Sequence, residues 1–286
     1  MPNQTRRTFL ATLGAAAVAG RGGISAPGLL AELSASERAR LGRIGIQLYS
    51  LRRQAAADLA GVLAQLAKIG YNEVECAGYY NHPAAEIRDL LKQNGLTAPS
   101  AHIAITEIET NATKTFDDAH TIGHEWITVP SLPGGPKVTA DDWKRVAARF
   151  SAAATQVKAA GFRFAFHNHN DIVKKTGDVL PIDILMKETD PSLVSFEMDI
   201  YWAVNGGADP VELLARFPGR FKMLHVKDGL RPPGDTQTDV GAGTIDFKTI
   251  FAKAKGIEHY FVESDSAADP IAFAAASYKY LFNLKF

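Results

Sequence analysis

The chain has 286 residues, 46% of them hydrophobic, with 31 basic and 31 acidic side chains and a formal net charge of zero. That is the balance of a soluble globular protein, and it argues against a nucleic-acid partner, whose affinity rests mainly on cationic contacts to phosphate. Cys76 is the only cysteine, which excludes an intramolecular disulfide and leaves packing alone to hold the fold.

The first element is not part of a core. "TRRTFLATLGAAAVAG" pairs Arg6 with Arg7, follows them with Phe9 and Leu10, and runs on into a short Ala-rich apolar stretch. A charged start with so short a run reads as an export signal, since a membrane span needs about 20 apolar residues. No stable membrane anchoring is expected. The "RRTFL" stretch resembles the twin-arginine signal that carries folded proteins across the inner membrane, so a periplasmic location is expected. Ala17-Val18-Ala19 offers a cleavage site, and residues 1–40 are set apart from the domain, which spans 41–286.

From Arg43 onward, short apolar runs alternate with amphipathic stretches. The predicted strands are 43–49, 72–76, 98–104, 126–130, 162–167, 194–199, 220–226 and 260–264. Helical segments lie between them, several closing on Gly70, Gly95, Gly161 or Gly256, as helix C-termini do. Eight such pairs in about 245 residues match a (β/α)8 TIM barrel, an α/β fold. A doubly wound open sheet is the alternative, but no Gly-rich phosphate loop follows the first strand. Nothing in the composition marks a second domain.

Barrel strands alternate between the interior and the helix layer, and chemistry gathers at their C-terminal ends. In "FRFAFHNH" the phenylalanines take the outer parity and Arg163, Ala165, His167 and His169 the inner one. By the same alternation Glu197, Asp199, His225, Lys227, Glu263 and Asp265 point inward, as do Glu75 and His102 from earlier strands. Strands five to eight thus each end on an inward His, Asp or Glu: His167, Asp199, His225 and Glu263. A lone inward His or Asp is more often a hydrogen-bonded capping residue than a ligand. Two imidazoles and two carboxylates together are a donor set for Mn, Zn, Fe or Co, and buried charges of this kind must be paired or bind metal. Arg163 and Glu197, deeper on neighbouring strands, are expected to form an internal ion pair.

These residues, carried in "VECAGYY", "SAHI", "FHNHND", "FEMDIYWAVNGGADPVELL", "GRFKMLHVKD", "VGAGTIDF" and "FVESD", resemble the sugar phosphate isomerase/epimerase family of xylose-isomerase-like TIM barrels. The resemblance implies a divalent-metal site at the ends of strands five to eight, where relatives commonly carry Glu, Asp, His and Glu. His167 departs from that pattern, and Ala242 stands where relatives are often acidic.

The resemblance further implies a small-molecule sugar substrate and proton abstraction beside a carbonyl. The main expectation is a metal-dependent sugar isomerase or epimerase. A second metal-bound glutamate is missing at position 167, which puts two-base epimerisation in doubt; one-base isomerisation or β-elimination survives with Glu263 moving the proton and Lys227, His102 or His169 as the acid. A lyase, either a dehydratase or a keto-glycoside-cleaving enzyme, is therefore the alternative. A non-catalytic carbohydrate-binding protein is a further one, and an apurinic-site endonuclease ranks last. Glu75 and His169 are expected to contact sugar hydroxyls, and Trp202, with Tyr201, Tyr79 and Tyr80, to offer an apolar face to the ring. Export makes a non-phosphorylated substrate the expectation. Barrels of this type often pair, which leaves a homodimer open.

Overall fold

A computed structural model describes residues 39–132, 139–230 and 236–286. The export signal expected in the first 40 residues falls almost wholly outside them. Ala39–Phe286 forms one compact unit. In chain order its strands are β1 (Gly45–Gln47), β2 (Glu73–Ala77), β3 (Thr97–His102), β4 (Trp126–Val129), β5 (Arg163–His167), β6 (Val194–Asp199), β7 (Phe221–Val226), β8 (Asp228–Gly229), β9 (Gln237–Thr238) and β10 (His259–Val262). Strands β1 to β7 and β10 pair in parallel and close into a barrel, each neighbouring the next in sequence, with β1 completing the ring against β10. The short pair β8–β9 is an antiparallel hairpin on the loop after β7. Among the described residues no helix is long and apolar enough to cross a membrane.

Local chemistry sets the helices. Asp209 and Asp269 cap helices that begin with Pro210 and Pro270, joining an oxygen for the free N–H groups to a residue that lacks one. Thr139 and Asp142 form a reciprocal capping box at the head of the longest described helix, Ala140–Ala159. At the other ends Gly70, Gly95, Gly161 and Gly256 all sit at positive φ, the conformation that glycine adopts without steric cost.

The interior is layered. Trp126, Ala165, Met223 and Phe261 form a dry plug inside the barrel, while the larger core lies between barrel and helices. Below the plug, at the N-terminal end, Glu73 accepts from His259 Nδ1 at 2.9 Å and from Arg43 at 2.9 Å. Arg163 also lies at this end, over the Trp126 ring and bidentate to Glu258 at 2.5 and 2.8 Å. The expected Arg163–Glu197 pair is therefore not formed. Register explains the correction: Glu197 is level with His167, four residues beyond Arg163, which is about 13 Å along a strand.

Burial raises the Glu73 pKa, but the hydrogen bonds and charges of His259 and Arg43 outweigh it and leave the group below its ordinary 4.5. A carboxyl that is more acidic folded than unfolded contributes stability above the unfolded value, and that stability is lost as pH falls toward the folded value. The stability gap between wild type and Glu73→Gln, read from urea midpoints, is expected to narrow from pH 6 to pH 3.5. A gap independent of pH would refute the assignment.

Candidate metal centre and cavity

Above the plug the barrel turns polar. Glu75 on β2 is fully buried, and its carboxylate accepts from Gln47 at 2.6 Å, Ser100 at 2.6 Å and His225 Nε2 at 2.7 Å. Glu197 on β6 lies beside it, with Oε2 3.0 Å from His102 Nε2 and 3.1 Å from His225 Nε2. The other nitrogen of His225, Nδ1, meets Glu263 at 2.8 Å. His225 on β7 thus joins the lower carboxylates to the upper one. Burial lowers its pKa, but Glu197, Glu263 and Glu75 outweigh that and hold it well above the ordinary imidazole value.

The upper level is built at the strand ends. Asp199 ends β6 and caps the next helix, with Oδ1 accepting from Trp202 N at 2.8 Å, which leaves Oδ2 turned inward. Asn168 holds this corner to the end of β5: its side-chain oxygen accepts from Asp199 N at 3.0 Å and its amide donates to Asp199 O at 3.3 Å. Lys227, 1% exposed, places Nζ 2.9 Å from Asp199, 2.8 Å from Glu263 and 2.9 Å from Asp265. Burial acts against its charge, but these three carboxylates prevail and raise its pKa. Glu263 is the mirror case, since Lys227 and His225 overcome the effect of burial and hold its carboxyl well below the usual range. Gln237, on the β8–β9 hairpin, donates to Asp265 at 2.7 Å, and Asp228 steadies the same loop by accepting backbone N–H groups of Gly229, Gly241, Gly243 and Ile245.

His167 differs from all of these. It is buried, yet neither ring nitrogen has a hydrogen-bond partner among the described residues, and the inward Oδ2 of Asp199 is 3.6 Å from Nε2. Burial first, then the neighbouring His225, His102 and His169 rings, push its pKa well below the ordinary value, so the ring is neutral with a lone pair to offer. An orphaned buried imidazole is costly unless something binds it. Donor atoms of His167, Asp199, His225 and Glu263 all lie within 4.8 Å of one another. The mixed imidazole–carboxylate set fits a divalent transition metal. In a second group of Glu75, His102, Glu197 and His225 both imidazoles already bond its carboxylates, whereas the upper set contains in His167 an imidazole with no bonded partner among the described residues. The upper set is the better metal site.

A cavity of about 740 Å3 opens over this centre, lined among others by Tyr49, His102, His167, His169, Trp202, Glu263 and Asp265. His169 packs its ring 5.0 Å from that of His167 and 5.8 Å from Trp202. The buried Trp202 Nε1 has no partner among the described residues. Burial lowers the His102 pKa, but Glu75 and Glu197 reverse this and leave it raised, which favours the protonated ring at the cavity edge. Three expectations need correction. Glu75 does not reach the cavity, because its oxygens serve the layer beneath. Lys227, expected as a candidate acid, is buried and bonded to Asp199, Glu263 and Asp265 rather than standing in the cavity lining. Tyr201 is fully buried and offers no face to a ligand. Asn168 and Tyr49 escaped the sequence reading; the one signal for Asn168 was its place between two inward histidines.

A closed parallel barrel with eight strands, helices around it and a polar centre at its C-terminal mouth is a TIM barrel. The family model for xylose isomerase-like TIM barrels matches residues 63–270, and the chain belongs to that family. The crystal structure of a sugar phosphate isomerase/epimerase from Parabacteroides distasonis is 30% identical, with a TM-score of 0.73 over 85% of this chain and 94% of that one. Inosose dehydratase from Geobacillus kaustophilus is 27% identical over 268 residues, 78% of this chain and 86% of that protein. The structure of the IOLI protein with a bound zinc atom shares the fold at 14% identity, with a TM-score of 0.67 over 83% of this chain and 95% of that one.

The purified protein is expected to take up about one divalent ion per chain, measured by elemental analysis and by competition with a chromophoric chelator. Second-sphere changes at metal sites typically weaken affinity ~10–100-fold, which is the loss expected for Asn168→Ala, and His167→Ala is expected to lose more. A wild-type protein that takes up no Mn, Zn, Fe or Co would remove the metal reading.

Proposed function

We propose that the chain is a metal-dependent lyase acting on a polyhydroxylated ring ketone, a keto sugar or keto cyclitol. In this reading it removes the proton beside the carbonyl and expels the oxygen substituent one carbon further on. The observation that carries the reading is the buried imidazole of His167, a residue that is no carboxylate, where an isomerase would need a second carboxylate base. The inosose dehydratase relatives support it, since that name denotes an elimination of water on the same scaffold.

A divalent metal held by His167, Asp199, His225 and Glu263 would supply Lewis-acid polarisation of the substrate carbonyl when bound. The remaining work falls to the chain. Glu263, a carboxylate lining the cavity, takes the α-proton. The electron pair of that C–H bond becomes the new C=C bond as the β C–O bond breaks, and the protonated His102 ring delivers a proton to the departing oxygen. The products are an unsaturated ketone and water, or an alcohol where the leaving oxygen carries a substituent. Lys227 holds Glu263 and Asp199 in place and keeps Glu263 ionised. Trp202 and His169 shape the wall against which the ring lies.

General acid–base groups typically contribute ~10²–10⁴-fold, so Glu263→Gln and His102→Asn are each expected to lower kcat within that range. The measurement is formation of the conjugated product from a keto cyclitol by absorbance, with solvent deuterium incorporation at the α-carbon monitored in parallel. Deuterium exchange without elimination would return the reading to isomerase, and neither signal from the metal-loaded protein would favour a binding protein.

The reading extends to location. In this reading the twin-arginine signal within residues 1–40 delivers the folded barrel to the periplasm, where non-phosphorylated sugars are the accessible substrates. Replacing Arg6 and Arg7 by lysine is expected to hold the protein in the cytoplasmic fraction; unchanged fractionation would refute export by this route.

A further inference from the structure

The cavity over the metal centre is not closed on the β2–β3 side. Gly78, His102 and Ala104 line it, and the same three residues line a second cavity of about 360 Å3, so the two meet along that edge. The edge has little side chain to block it. Ala104 is small and exposed, and a Cβ placed on Gly78, at φ +77°, would meet nothing within 4 Å. Sites for small molecules run to roughly 300–1,000 Å3, so the first cavity alone holds a ring with its substituents and the second has room for another.

The lining of the second cavity narrows what that other group is. Glu107 on the helix Ile105–Thr110, Asn111 at the junction, and Lys114 and Asp118 one turn apart on the helix Ala112–Ile122 all line this cavity. Asn111 donates to Glu107 at 3.2 Å, and Lys114 pairs with Asp118. Tyr79 adds an aromatic wall. Planar amide and carboxylate groups beside an aromatic ring suit hydroxyl donors and a partly apolar ring face. Mixed charges, two acidic and one basic, give an anionic substituent no advantage.

We propose that this side cavity is a subsite for the second ring of a disaccharide or glycoside whose first ring occupies the cavity over the metal centre. The proposal rests on the reading of the main cavity as a carbohydrate site. It makes the bound molecule larger than a single keto ring, and it makes the group expelled by elimination an alcohol on that second ring.

The experiment titrates the full-length metal-loaded protein, by calorimetry, with a panel of methyl glycosides and the disaccharides that contain them. At least one disaccharide is expected to bind ~10-fold tighter than its methyl glycoside, the advantage of one well-made pair of polar contacts. Asn111→Trp, which fills the side cavity from its outer wall, is expected to cancel that advantage, and Asn111→Ala to reduce it. Affinity for the methyl glycoside serves as the folding control. No disaccharide preference in the wild type, or a preference that survives Asn111→Trp, would overturn the subsite. Because the readout is binding, the two failures are distinct: preference without turnover would sink the lyase and keep the subsite, whereas turnover of a monocyclic ketone without preference would do the reverse.

Discussion

The structure depends on one electrostatic problem, which is how to hold carboxylates together inside a closed barrel. Glu75, Glu197, Asp199 and Glu263 are all essentially buried, and Asp265 stands at their edge. Two like charges 4 Å apart at an effective dielectric near 20 repel by about 4 kcal/mol, so such a group is stable only with cations threaded through it. Lys227 and His225 do this from successive inward positions of the same strand end. Each reaches more than one carboxylate at hydrogen-bond distance, and the raised pKa values of both follow from that arrangement.

The dry plug of Trp126, Ala165, Met223 and Phe261 gives the problem its depth. It closes the barrel beneath the polar layer, so charged groups above it are approached by water only from the C-terminal mouth. It also separates two ionic systems. The Glu73–His259–Arg43 and Arg163–Glu258 groups at the floor stabilise the fold, and the groups above the plug face the cavity. Putting Arg163 in the lower system rather than beside Glu197 removes the one guanidinium that would otherwise have neutralised the upper one.

Much of this was legible in the sequence because strand parity is a local property. Alternation along "FRFAFH", "VSFEMD" and "FKMLHV" is enough to put His167, Asp199 and His225 inside, and the structure brings them to one point with Glu263. Partnership is not local. Whether Glu197 meets Arg163 or His225 depends on the register between β5, β6 and β7, which no single strand encodes. Depth is not local either: Glu75 and His102 share an inward direction, but only His102 stands high enough to line the cavity. Tyr49 follows a strand of only three residues, and the immediate turn into Leu48–Leu51 swings its side chain to the mouth in a way that alternation does not foresee.

What separates structural from functional polar residues here is whether their hydrogen-bonding needs are met. Glu75 is fully occupied by Gln47, Ser100 and His225, and its contribution is to fix the Nε2 side of His225. That is the role of a carboxylate behind a metal-binding histidine. His167 has no hydrogen-bond partner on either nitrogen among the described residues, although it is also buried. A glutamate at this position would add a further negative charge to a centre that already contains Asp199 and Glu263. It would also put a second base beside the substrate. The imidazole relieves the charge and withholds the base, leaving Glu263 with Asp265 as the carboxylates that line this cavity. Asp265 is engaged by Lys227 and Gln237, and Glu263 by Lys227 and His225. Of the two, only Glu263 also belongs to the donor set with His167, which makes it the base that meets a substrate held there. Proton removal without return from the opposite face is the first half of an isomerisation and the whole of what an elimination requires.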